Sequence, residues 1–75
     1  MFYLRDEIID RAIADYFRSG GTDEPARPSD VIEHHGRVYV RLVNDGGILA
    51  VYRLCRNGTL MRLSDWPPRL NPNWL

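Results

Sequence analysis

Partway along this chain the spacing of its apolar residues changes from near four to two, and no other feature restricts the fold as much. Leu4, Ile8, Ile9, Ala12, Ile13, Tyr16 and Phe17 recur three and four apart, with Asp6, Glu7, Asp10, Arg11, Asp15 and Arg18 among them. That spacing gathers the apolar side chains into one stripe and predicts an amphipathic helix over about residues 4–19. Asp6 and Glu7 suit the positive end of its dipole, Arg18 suits the negative end, and Gly20-Gly21 stops it. Gly20 to Asp30 carries two Gly and two Pro without periodicity and reads as an exposed connection.

From Val31 the alternation is that of strands. Val31-Ile32-Glu33 is a short strand that His34-His35-Gly36 turns back, and Arg37 to Val43 alternates and is rich in β-branched residues. Asn44-Asp45-Gly46-Gly47 holds an Asp-Gly hairpin signal. Ile48 to Cys55 is the next strand, Asn57-Gly58 the next turn and Thr59 to Leu63 the last strand. The expected fold is α+β: an N-terminal amphipathic helix packed on an antiparallel three- to four-stranded β-meander. With 75 residues there is room for a single small domain spanning 1–75.

Two-residue turns at Asp45-Gly46 and Asn57-Gly58 would set Val43 opposite Ile48, Tyr39 opposite Tyr52, and Tyr52 opposite Leu63. One face then carries Val38, Val40, Leu42, Leu49, Val51, Cys55 and Leu60, with Arg53 beside Arg62 at its margin. The other carries Tyr39, Val43, Ile48, Ala50, Tyr52, Leu54, Met61 and Leu63, with Arg37, Arg41 and Arg56 among them. A three-residue loop with a bulge at Gly46 or Gly58 would shift these assignments. Both faces are apolar. One helix covers one of them, so the Tyr/Arg face needs the C-terminal segment, a second copy of the chain or a partner.

Ten Arg and ten acidic residues cancel overall but not locally. Residues 1–35 hold four Arg against eight acids, a balance of −4, and residues 36–75 hold six Arg against two acids, a balance of +4. Such a division can mark a basic surface for an anionic partner. An acidic helix and a basic sheet that attract each other within one domain is the favoured reading, because the halves cancel and the field at a distance is weak. A single cysteine, Cys55, excludes an internal disulfide and a Cys-based zinc site. In a strand it reads as a small buried apolar residue with no partner for covalent catalysis. His34 and His35, adjacent in an extended segment, point to opposite faces and do not chelate one metal. No metal and no cofactor is expected, and no enzymatic activity. Charges at Arg5, Asp6 and Glu7 interrupt any leader-like apolar run, and no stretch approaches a membrane span, so a cytoplasmic chain without membrane attachment is expected.

Trp66-Pro67-Pro68-Arg69-Leu70-Asn71-Pro72-Asn73-Trp74-Leu75 has three Pro and is neither helix interior nor central strand. It either docks into a Pro-recognising domain or folds back over the second sheet face. Folding back is favoured, because two exposed Trp cost solubility. The stretch Gly36-Arg37-Val38-Tyr39-Val40 through Gly47-Ile48-Leu49-Ala50-Val51-Tyr52-Arg53, closing with Asn57-Gly58-Thr59-Leu60-Met61-Arg62-Leu63 and Trp66-Pro67, resembles short uncharacterised bacterial proteins. They share a Gly-x-Leu-Ala-Val-Tyr-Arg strand, an Asn/Asp-Gly turn and a terminal Arg-Leu-x-x-Trp-Pro. The resemblance covers roughly the C-terminal half and implies a fold unit without an activity.

The expected function is that of a small non-enzymatic protein-interaction module. Its hypothetical binding face comprises Arg37, Tyr39, Arg41, Tyr52 and Arg56 with Trp66 and Trp74 of the tail, and its partner is another protein or a second copy in a homodimer. The alternative is single-stranded nucleic acid, with Tyr39 and Tyr52 stacking bases and the Arg side chains taking phosphates. A phage- or plasmid-type inhibitor of a larger host complex is a further reading, since such proteins act by surface alone.

Overall fold

The computed structural model describes residues 3–25 and 29–71. In chain order these form α1 (Arg5–Arg18), β1 (Asp30–His34), β2 (Arg37–Asn44), β3 (Gly47–Leu54) and β4 (Leu60–Leu63), followed by a 3-10 turn at Pro68–Leu70. The strands make one antiparallel sheet in the order β1-β2-β3-β4, with α1 packed on one face. The fold is α+β, as the change of period predicts.

The C-terminus of α1 is set by its two glycines. Gly20 adopts φ 101°, and the Gly20 and Gly21 amides donate to the carbonyls of Phe17 and Tyr16 at 3.1 and 2.9 Å. This pair of bonds satisfies two carbonyls that the helix leaves open. Gly21 is required for a second reason: a Cβ there would lie 2.4 Å from the Tyr16 ring. That ring joins Ile8 and Ala12 in burying the helix stripe against Val40, Leu42, Ala50, Tyr52 and Leu54. Each fully buried Leu or Ile of this kind contributes about 1.5–3 kcal/mol.

The hairpins decide which side chains reach α1. His35 and Gly36, both at positive φ (51° and 74°), make a two-residue turn between β1 and β2. The second hairpin begins as the sequence predicts, with Asn44 opposite Gly47 and Val43 opposite Ile48. Leu42 then pairs with Ala50, leaving Leu49 as an extra residue. Such a bulge turns the rest of the strand over. Ala50, Tyr52 and Leu54 therefore face α1, and Val51 faces away, the reverse of the two-residue-turn reading. Tyr39 opposes Arg53 rather than Tyr52.

A second slip follows at the turn into β4. Gly58, at φ 87°, donates to the Cys55 carbonyl at 2.9 Å, and Cys55 donates to Thr59 at 2.8 Å. Arg56 and Asn57 occupy the tip, so Leu54 opposes Leu60, and Tyr52 opposes Arg62 rather than Leu63. The two slips cancel. Leu60 packs with the helix-side core and Leu63 with the opposite cluster, on the faces that the alternation assigns them.

That opposite cluster is closed by the chain itself. Residues after β4 cross back over the sheet, and Leu70, fully buried, packs with Tyr39 and Val51. Ile32, Ile48, Leu63 and Trp66 complete the cluster. The tail thus covers part of the second face, as the cost of exposing Trp predicts.

Candidate functional site

Tyr52 and Asp15 are the most perturbed titratable pair, and they are structural. The Tyr52 hydroxyl donates to the Asp15 carboxylate at 2.7 Å, joining β3 to α1. Burial, then this hydrogen bond, pushes the Tyr52 phenol up to about 12, while the bond and Arg18 hold Asp15 below the usual carboxylate range. Tyr52 has no exposed surface. It lies on the opposite side of the sheet from Tyr39, so the two rings do not form one stacking platform.

Of the other residues expected at the interaction face, Arg37, Tyr39 and Arg41 lie on the tail side, but two of them are occupied. Tyr39 is only 4% exposed beneath Leu70. Arg41 grips both carboxylate oxygens of Asp30, Nε at 3.1 Å and Nη2 at 2.9 Å, and donates through Nη1 to the Leu70 carbonyl. This guanidinium fastens the returning tail to the start of β1. Trp66 is half-buried, its indole N–H donating to Asn71 at 3.0 Å. Trp74 lies outside the described residues.

Arg37 and Arg56 are exposed, and the bulge brings them a companion that alternation alone puts on the other face. Tyr39 opposes Arg53, so Arg53 shares the tail side with Arg37, diagonally across the β2–β3 pair. The two arginines line adjoining depressions. One, of about 650 Å³, lies at the turn end of the sheet and includes His35, Cys55 and Arg56. The other, of about 420 Å³, runs over Tyr39 toward Leu63, Asp65 and Trp66. They share Arg37 and Arg53 and make a basic groove that runs from the strap of residues 64–71 to the end of the sheet, where helix-side Val38 and Leu54 also line it.

The acidic and basic halves meet at Arg41–Asp30 within the sheet, and between helix and sheet the Arg62 charge acts on Asp15. Among the described residues the ion pairs are Arg18–Asp15, within α1, and Arg41–Asp30, and neither joins helix to sheet. Polar links between them are instead Tyr52 to Asp15, Tyr3 to Glu33 at 2.9 Å and Arg11 to the Gly58 carbonyl at 2.7 Å. Arg37, Arg53, Arg56 and Arg69 make no ion pair among the described residues.

His34 and His35 do not diverge as an extended segment requires. The positive φ of His35 brings the rings edge-to-face, centroids 4.1 Å apart. Desolvation, then the charges of His35 and Arg69, lowers the His34 pKa. Among the described residues, no group of three His, Cys, Asp or Glu is arranged to hold a metal ion. No helix among them is long and apolar enough to cross a membrane.

The chain matches no family model, no curated protein and no solved structure.

Proposed function

We propose that this protein is a small non-enzymatic interaction module that binds a protein partner through the basic groove beside its strap. One observation carries the reading: Arg37 and Arg53 stand diagonally across β2 and β3 without ion-pair partners among the described residues, beside the part of that face that the chain's own tail closes. Arginine beside a half-buried Trp is a combination enriched in protein interfaces. The shifted pair, buried Tyr52 with partly exposed Asp15, ties β3 to α1 and so serves the fold. The single-strand reading loses support, since Tyr39 and Tyr52 face opposite ways.

Met61 offers a test, being exposed on the groove side opposite Arg53. A photoreactive residue at position 61 should give a covalent adduct with a protein in the source cells, and one at position 10 on α1 should not. Adducts from position 10 alone, or only to nucleic acid, would refute the reading.

A further inference from the structure

We infer that the groove receives an acidic peptide segment, its carboxylates held by Arg37 and Arg53. This rests on the protein-interaction reading and adds the chemistry of the partner. Diagonal neighbours on adjacent strands lie about 7 Å apart, close enough for two guanidinium forks to grip one carboxylate or two successive ones. Arg56 stands at the turn end of the same groove. His35 lines the same depression, and the charge of Arg69 on the strap reaches His34 at the first hairpin.

Little negative charge opposes this set. Asp65 is the one carboxylate lining either depression among the described residues, and its Oδ1 accepts the Trp66 amide at 3.0 Å. Glu33 is taken by the Tyr3 hydroxyl, and Asp30 by Arg41. The positive charge therefore calls for a complement from outside the fold.

A peptide suits the surroundings better than a nucleic acid strand. Base stacking needs a free aromatic face. Here Tyr39 lies beneath Leu70, while Trp66 is half-buried with its N–H committed to Asn71. The groove is bordered instead by Met61, 41% exposed, and Leu63. An acidic peptide brings apolar side chains for these as well as carboxylates for the arginines.

Fluorescence anisotropy with a short fluorescein-labelled peptide of alternating Glu and Leu tests the inference on the full chain. Saturable binding is expected that weakens as salt rises and falls about tenfold in the Arg37→Gln, Arg53→Gln double variant. Arg5→Glu, which changes the net charge by the same two units at an exposed helix position, should change it less than about twofold. Melting curves establish that each variant is folded. Undiminished binding to the double variant, no binding by the native chain, or tighter binding of oligothymidylate of matched charge overturns the inference. A position-61 protein adduct that survives in the double variant leaves the interaction role standing while the acidic partner falls. Absence of any adduct removes both.

Discussion

The two faces of this sheet are covered by different means, and the contrast shows how a short chain can be both stable and available. A 14-residue helix lies across one face and seals Val40, Leu42, Ala50 and Tyr52 to 4% exposure or less. The other face receives a strap after β4, anchored by Leu70, Trp66 and the Arg41–Asp30 pair. A strap cannot cover what a helix covers. It closes the middle of its face and leaves Arg37 and Arg53 at one end. Stability therefore concentrates on the helix side, and the strap side keeps an open basic groove.

The largest effect that would break this comparison comes from truncating one anchor on each side. Leu42→Ala should cost about 3–4 kcal/mol, because helix and sheet are both held at that site and cannot collapse into the cavity. Leu70→Ala should cost about 2 kcal/mol, since the strap can lift locally, and it should raise dye binding and change Trp fluorescence below the melting midpoint. Equal costs in chemical denaturation, with no early Trp signal, would mean that the strap is as integral as the helix.

Gly58→Val acts on both sides at once, because Gly58 sets where Leu60 and Leu63 fall. Nothing lies within 4 Å of a Cβ there, so the cost is that of a side chain at φ 87°, about 1 kcal/mol or more. The helix-side and strap-side signals should shift together in thermal melts. A shift confined to one side would uncouple the faces.

Tyr52→Phe gives the smallest effect, about 1 kcal/mol near neutrality, through the lost bond to partly exposed Asp15. Its pH dependence is more telling. The folded Tyr52 pKa, about 12, lies above the ordinary 10, so its contribution is complete below pH 10 and is lost as pH rises through 12. Asp15 is shifted the other way: its contribution is present above the ordinary carboxylate pKa and is lost as pH falls through its lowered value. Stability curves of the variant should be flatter than the native ones at both extremes. Parallel curves would show that the pair is not linked to folding.

Much of this architecture was legible in the residues, and the limit has a definite physical cause. The helix stripe, all four strands and the returning tail follow from period, turn residues and the cost of exposed Trp. The faces of β2 also follow, because Arg37 to Val43 alternates without interruption. Those of β3 do not. Ile48-Leu49-Ala50-Val51 is apolar throughout, so alternation carries no information at the point where the bulge sits. The Asn57-Gly58 dipeptide fits a two-residue turn as well as the longer turn it makes. Alternation alone therefore puts Arg53 on the wrong face and hides it as the companion of Arg37. The hint available was Asp15, an acid next to Tyr16 on the helix stripe that a strand tyrosine could satisfy.

The two register slips, one at a bulge and one at a turn, also bear on how such a chain can change over generations. Each is a slot where the backbone can gain or lose one residue by forming or dissolving the bulge or resizing the turn, without rotating what comes after it. A sheet bounded by two such slots tolerates small indels that would invert a regular hairpin. Where a residue lost at one slip is regained at the other, gap-free columns would misplace β3 while leaving β2 and β4 in step, and spatial position rather than column number would identify the counterpart of Arg53.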